Sequence, residues 1–479
     1  MSEFSSAENE QSLILCCFSF TTNARSTQTR HPFDRRHLRH HRKCRRHYGT
    51  RCRPRGDDRD LLDDAAWRLP HDMGRRHHHR GRGYRTHERP MYGHHQLAQS
   101  RLHRRNAHSK RQLVHGATSK ISSLSDYEKK LGGGLASAGF NLTEAAEAAF
   151  SVVGISGAYF INVHDPNVED EDLSADTAFV GSAAAKTGIY AVMKLWPNYG
   201  AVPNLICCPG KTSEAIVTAL KTVATKCNGH WDGMAVFDVA QAANQVVNGI
   251  VQTAQVTNDN KFENGIAVWP SVKSTSGNVI SGAAVVCALY AANDAARNNI
   301  PVRSIGNTSV SILGACLRSD GVIVSMEESD ATEVQENGIV TFLNVGGGIY
   351  VTWGDHTSAM ANGSVTDERA RYDSNIRVLQ MLTNRFQQKY RFDVDEPMTL
   401  AMRNDIIHEE NDYLAYLKSV GAIIGDATCQ FLADDNPADN VALGQFVWSI
   451  EATVTPPMKY AQLNVGFTSA GYSVYYEAA

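Results

Sequence analysis

From Lys186 onward the apolar positions switch between two spacings. Short unbroken runs suit buried strands, and runs recurring every three to four residues suit helices packed on one face. The unbroken runs predict strands at Leu205–Cys208, Met234–Phe237 and Gly265–Trp269. The helical spacing predicts helices at Gly188–Leu195, Glu214–Cys227, Ala240–Asn248 and, longest, Ser281–Arg297. Strand and helix in alternation predict a sheet with helical crossovers.

Upstream, "SLSDYEKKLGGG" carries a capping-box pattern, Ser125 with Glu128, and stops on Gly132, Gly133 and Gly134. "NLTEAAEAAFSVV" predicts a second helix and "AYFINV" (Ala158 to Val163) a strand, and the acidic "DPNVEDEDLSAD" reads as a solvated loop. Downstream, "GIVTFLNVGGGIYVTWGD" predicts a hairpin around Gly346, Gly347 and Gly348. A helix starting near Val365 places Ile376, Leu379, Leu382 and Phe386 on one face, and Tyr413, Leu414 and Leu417 mark another. Two alternating segments end the sequence, "GQFVWSIEATV" and "KYAQLNVGFTSAGYSVYY", separated by Pro456 and Pro457. A last strand of this kind can fold back or join the sheet edge of a neighbour.

At 479 residues, two to three domains are expected. The fold class is α/β and α+β multidomain: a mixed sheet with helical crossovers, then a C-terminal helix-plus-β domain. The expected boundaries are 1–115, 116–363 and 364–479, the first irregular or disordered as written.

Net charge of −3 conceals two different sequences. Residues 1–115 hold 23 Arg, 2 Lys and 15 His against 11 acidic residues, a net of +14, and the remainder carries −17 with four His. Three readings of "RHLRHHRKCRRHYGTRCRPRGDDRD" and "RRHHHRGRGYR" stay open. A basic tail would be disordered, having little apolar surface to bury. A binding module would use the arginines on phosphates with Tyr84 and Tyr92 stacking, or His77, His78 and His79 on a metal, but zinc-ligand spacing and RNA-binding signatures are missing. The third is a wrong reading frame: written as CGT and CAT, Arg-Arg-His-His-His-Arg shifted by one nucleotide becomes Val-Val-Ile-Ile-Ile-Val, the composition of a buried strand. The Arg-to-Lys ratio, 23:2 before His115 and 9:13 after it, points the same way.

No run of eighteen apolar residues occurs, so no membrane insertion is expected. "SLILCCFSF" (Ser12 to Phe20) is short and follows acidic residues, unlike a signal peptide. The ten cysteines form no C-x-x-C; Cys16–Cys17 and Cys207–Cys208 are adjacent, and Cys287, Cys316 and Cys429 stand singly among apolar residues, as buried reduced thiols would.

One stretch invites an enzymatic reading. "NLICCPGKTSEAIVTAL" (Asn204 to Leu220) places Gly210, Lys211 and Thr212 between a strand and a helix, and "GMAVFD" ends a second strand on Asp238. A degenerate P-loop nucleotide site would use Lys211 on phosphates and Asp238 on magnesium. The phosphate cradle, however, needs glycine where Leu205 stands. The plainer expectation is two strand ends, with Pro-Gly turning into a helix capped by Thr212 or Ser213. His164, His230, His356 and His408 are scattered without H-E-x-x-H, and His164–Asp165 and Asp355–His356 read as surface-loop neighbours. No catalytic, cofactor-binding or metal-binding residue is expected.

Five stretches in order resemble the contractile tail sheath proteins of myophages, prophages and phage-tail-like bacteriocins. They are "KISSLSDYEKKLGG"; "PNLICCPG" with "MAVFDVA"; "AVWPSVK" with "NVISGAAVVCALYAANDAARNNIPVRSIGNTSV"; "ENGIVTFLNVGGGIYVTWGDHTS"; and "VGAIIGDATCQFLADDNPADNVALGQFVWSIEATVTPPMKYAQLNV". The resemblance spans most of Lys120–Ala479. It implies a non-enzymatic subunit in which Lys211 binds no phosphate, without cofactor or nucleic acid. It also implies a homopolymer around a tail tube, released by the baseplate from an extended to a shorter state, with a tail terminator as further partner. The particle would assemble in the bacterial host cytoplasm. In such a polymer terminal arms add strands to neighbouring sheets, and Lys459–Tyr476 matches the C-terminal arm. The matching N-terminal arm should lie where the Arg/His-rich text stands.

Overall fold

The computed structural model describes residues 14–18, 118–132, 141–163, 176–240, 261–361 and 363–476. Fourteen strands are named here: β1 Ile14–Phe18, β2 Thr118–Ile121, β3 Ala158–Asn162, β4 Leu205–Cys207, β5 Met234–Asp238, β6 Gly265–Val268 and β7 Ser271–Ser274. Then follow β8 Val279–Ile280, β9 Ser309–Val310, β10 Ile312–Cys316, β11 Ile339–Asn344, β12 Tyr350–Trp353, β13 Ile423–Gln430 and β14 Ser449–Val454. Nine of them form one sheet in the order β2-β3-β1-β4-β5-β6-β11-β12-β9. Its centre, β4-β5-β6-β11, is parallel, and β12 returns antiparallel across the Gly346–Gly348 hairpin.

Period-two alternation sorts the central strands between two cores. Leu205, Cys207, Met234, Val236, Ile266, Val268, Val340 and Phe342 face one side, where they meet α3 Gly282–Ala295 and α1 Asn141–Ala146. Ile206, Ala235, Phe237, Ala267, Ile339 and Leu343 face the other, with α2 Glu214–Ala224 and α4 Glu328–Glu336. Both faces being covered, these strands read as unbroken apolar runs rather than as alternation. α3 is buried nearly all round, which its small residues in "GAAVVCALYAA" permit.

The chain then leaves this sheet. α5 Asp373–Tyr390 and α6 Leu400–Ser419 pack with the β13-β14 hairpin around Val378, Leu382, Leu414, Leu417, Ala422 and Ile423. α5 is fastened to the body by side chains on its polar face. Asn384 donates to the Asp232 carbonyl and accepts from its N–H, Gln387 donates to the His230 carbonyl and Gln380 to that of Gly233.

Several expectations need correction. The first 115 residues are not irregular throughout, because "ILCCF" forms β1 between β3 and β4, antiparallel to both. The rest of that segment, with Tyr84, Tyr92 and His77–His79, lies outside the described residues, as do His164, the acidic loop to Ala175 and the helix expected after Ala240. The first helix is capped by Ser123, not Ser125: Ser123 Oγ accepts the Asp126 N–H at 3.1 Å, and Asp126 accepts that of Ser122 at 3.0 Å. The helix expected from Val365 starts at Asp373, because Tyr372 is held extended by a bridge to His356. Lys459–Tyr476 forms no strand: it runs exposed without a pairing partner and ends in a 3-10 turn at Ala470–Tyr475. The small sheet β10-β7-β8 and strand β13 were not expected. β13 contains Gly425 and Asp426, poor strand formers, and owes its place to α6 and β14.

Candidate functional site

The Pro209–Gly210 turn and Asp238 do meet, at the C-terminal ends of β4 and β5, where open parallel sheets commonly bind ligands. A pocket of about 310 Å3 lies there, lined in part by Gly210, Thr212, Asp238, Ser271 and Arg318. The groups a nucleotide would need are already committed to the protein. Asp238 Oδ2 accepts the Gly210 N–H at 2.8 Å and the Ser281 hydroxyl at 2.6 Å, and Oδ1 accepts the Ala283 N–H at 3.0 Å. Asp238 thus ties the turn to the start of α3, alongside the Ser281 cap. Asn141 donates to the Pro209 carbonyl from the other side.

Glu144 completes the network. It accepts the Ser281 N–H at 3.0 Å and a two-pronged Arg318 guanidinium at 2.6 and 3.0 Å. Burial pushes its carboxyl up, opposed by Arg318. A side chain at Gly210, whose φ is +71°, would run into that guanidinium. The Gly210 N–H therefore meets a carboxylate where a phosphate would have to sit, with a second carboxylate on the same network. Lys211 points elsewhere, its Nζ over the Phe179 ring at 4.2 Å. Ser213 takes the N-cap position of α2 but its hydroxyl makes no cap bond. The arrangement is a structural clamp, and nothing in it supports the nucleotide reading.

The histidines among the described residues do not converge. His230 sits beside Trp231, His408 is exposed on α6, and no group of His, Cys, Asp and Glu among the described residues has metal-site geometry. Burial pushes the Cys227 thiol up to about 12 and those of Cys316 and Cys429 up to about 11, which makes them poor nucleophiles. No helix among the described residues is long and apolar enough to cross a membrane.

Asp355 and His356, expected on a surface loop, are buried instead, at the junction of the body with α5. The Asp355 carbonyl accepts the N–H of Asp373, the first residue of α5. Asp373 is itself buried, accepting from the Tyr290 hydroxyl and from the Ile305 N–H at 3.1 Å. Burial, then the charge of Asp355, pushes its carboxyl up to about 6. Beside it the buried Arg377 pairs with Asp294 on α3 and lies 4.5 Å over the Tyr290 ring.

The second feature with functional content is the C-terminal segment. From Ala461 to Phe467 the odd positions, Ala461, Leu463, Val465 and Phe467, are apolar, and the even ones are Gln462, Asn464 and Gly466. Leu463 is 84% exposed and Val465 and Phe467 85% each. This is a strand sequence holding its core face in water. Bringing those three side chains out of water is worth roughly 5 kcal/mol before ordering costs. The signal was legible as alternation, but nothing among the described residues covers it.

No family model matches the chain. In sequence it is 23% identical over 329 residues to the major tail sheath protein of Serratia phage KSP20, covering 67% of this chain and 77% of that protein. It is also 23% identical over 286 residues to the tail sheath protein of Escherichia phage P2, covering 59% and 67%. Its fold is similar to a chain of the anti-feeding prophage baseplate, with a TM-score of 0.55 at 16% identity over 74% of this chain and 89% of that one. It is also similar to a chain of the PVC extracellular contractile injection system sheath in its contracted state, with a TM-score of 0.54 at 15% identity over 76% and 90%.

Proposed function

We infer that this chain is a structural subunit of a contractile tail sheath, polymerising around an inner tail tube and contracting to drive that tube through a cell envelope. Sequence similarity to tail sheath proteins and a fold shared with contractile assemblies support the reading independently. The observation that carries it is the unpaired arm. After a body with apolar cores of its own comes a segment with the alternation of a strand that nothing among the described residues covers. A second copy of the chain offers sheet edges on β2, β9, β13 and β14 that no strand among the described residues occupies, and backbone ladder bonds to such an edge hold while side-chain contacts change.

On this reading the body is residues 116–363 and the C-terminal domain 364–479, with residues 1–115 standing apart. The apolar cluster of α5, α6 and the β13-β14 hairpin supports the second boundary. The protein has no catalytic step: its strongest enzyme-like feature, the Gly210–Asp238 crevice, is spent on holding the fold. Self-association and baseplate contact follow from the assembled relatives. Contacts with a tube protein and a tail terminator, and assembly in a bacterial cytoplasm before incorporation into a tail or tail-like particle, complete the proposal. Sedimentation tests it. Pelletable polymer should form with the arm, either in the chain as written or with its Arg/His-rich segment replaced by the shifted-frame translation, and vanish when the chain stops at Pro457; monomers of both versions at every concentration would contradict the reading.

A further inference from the structure

Among the described residues, one side-chain bond joins the arm beyond Met458 to the rest of the molecule. Lys459 Nζ lies 2.9 Å from Asp355 Oδ1, across 104 residues of sequence. Asp355 is 2% exposed and Lys459 38%. The carboxylate has one other side-chain hydrogen bond among the described residues, from Gln335 Nε2 at 3.2 Å on the same oxygen. Beyond Lys459 the side-chain bonds among the described residues stay within the arm, from Tyr460 to Gln462, from Gln462 to Asn464 and from the Ala470 N–H to the Thr468 hydroxyl. The root of the arm is therefore held at one point, and that point is the junction where Asp355 also supports the start of α5.

A buried carboxylate that loses its cation is strongly disfavoured unless another cation replaces it. His356 stands ready. Its Nε2 is 3.8 Å from the same Asp355 oxygen, and its Nδ1 is fixed by the Gln335 carbonyl at 3.0 Å. Other groups around the ring are Tyr372, with centroids 5.6 Å apart, Arg371, held by Glu368, and Lys459 itself. Burial holds the imidazole below its usual range; the Gln335 carbonyl and Asp355 oppose this, and the positive charges of Lys459 and Arg371 add to it.

We propose that Lys459 and Asp355 form a latch that parks the root of the C-terminal arm on its own subunit, and that protonation of His356 Nε2 by solvent opens it by supplying Asp355 with a replacement cation. Linkage gives the direction. Departure of Lys459 removes a positive charge from beside His356 and so eases its protonation, and by reciprocity acid favours departure. The latch would keep a newly made subunit from offering its arm until a neighbour's edge competes for it. That purpose rests on the sheath reading above, whereas the latch itself is a property of the single chain, so the two fail separately.

Tryptic cleavage of the Lys459–Tyr460 bond reads the latch, because a lysine held on Asp355 cannot enter the protease. Digesting the full chain in its monomeric state and dividing that rate by cleavage at Arg391–Phe392 cancels the pH dependence of trypsin. The expected ratio rises about fivefold in Asp355→Asn, the scale of a partly exposed charge pair. In the wild type it rises about threefold between pH 7.5 and 5.5, and in His356→Gln it stays flat, a comparison that serves if Asp355→Asn does not fold. An unchanged ratio in folded Asp355→Asn, a flat wild-type profile, or equal rises in wild type and His356→Gln would each overturn the proposal.

Discussion

Asp238 accepts the backbone N–H of Gly210 at 2.8 Å, and with its other oxygen it starts the helix at Ala283. One carboxylate thereby joins the ends of β4 and β5 to α3, in the place where a P-loop protein would hold phosphate.

That assignment predicts a contrast between two substitutions. Asp238→Ala leaves the Gly210, Ser281 and Ala283 donors without their acceptor and is expected to cost roughly 3 kcal/mol in denaturant unfolding. Lys211→Ala removes one cation–aromatic contact and should cost about 0.5–1 kcal/mol. ATP at millimolar concentration should shift neither midpoint, and a nucleotide-dependent shift lost in Lys211→Ala would reverse the assignment.

Asp373 predicts a pH dependence. Its folded pKa of about 6 lies above the ordinary carboxylate value of 3.8, so the folded state binds the proton more tightly. The stabilisation is fully present below about pH 4 and is lost as the pH rises through 6, by about 3 kcal/mol. The difference in unfolding free energy between wild type and Asp373→Asn, measured from pH 4 to 7.5, should fall along that curve. A difference that is flat, or rises with pH, contradicts it.

The buried Arg377–Asp294 pair fastens α5 to α3. Arg377→Met alone leaves a buried carboxylate unpaired and should cost about 3–5 kcal/mol, whereas the double change with Asp294→Leu should recover much of that. Additive losses in the double-mutant cycle would show that the two side chains act independently.

The reading-frame idea makes a prediction at the nucleotide level. Because "ILCCF" pairs inside the main sheet, the displaced frame should begin after Phe18 and end near Val114. The shifted translation between those points should be open and rich in Val and Ile. Stop codons scattered through it would end the idea.

The central parallel strands were legible because they are buried on both faces, which leaves unbroken apolar runs such as "MAVF". α3 was legible from its helical spacing over Ser281–Arg297, although it is buried nearly all round. Short strands such as β8 and β9, two residues each, carry too little pattern to be seen. The burial of Asp355 and His356 escaped because their partners, Gln335, Asp373 and Lys459, are brought together by tertiary folding alone. The C-terminal segment shows a further kind of miss. Its alternation predicted a strand, and the structure shows none, because the segment pairs with no strand among the described residues.

The most direct test is negative-stain electron microscopy of the chain with its own residues 19–115 and with those residues replaced by the shifted-frame translation. Tubes from the replaced version, lost when Leu463 and Val465 are both changed to Asp, are the expected result. Monomers from both versions at concentrations that pellet sheath proteins would contradict the account of this chain as a sheath subunit.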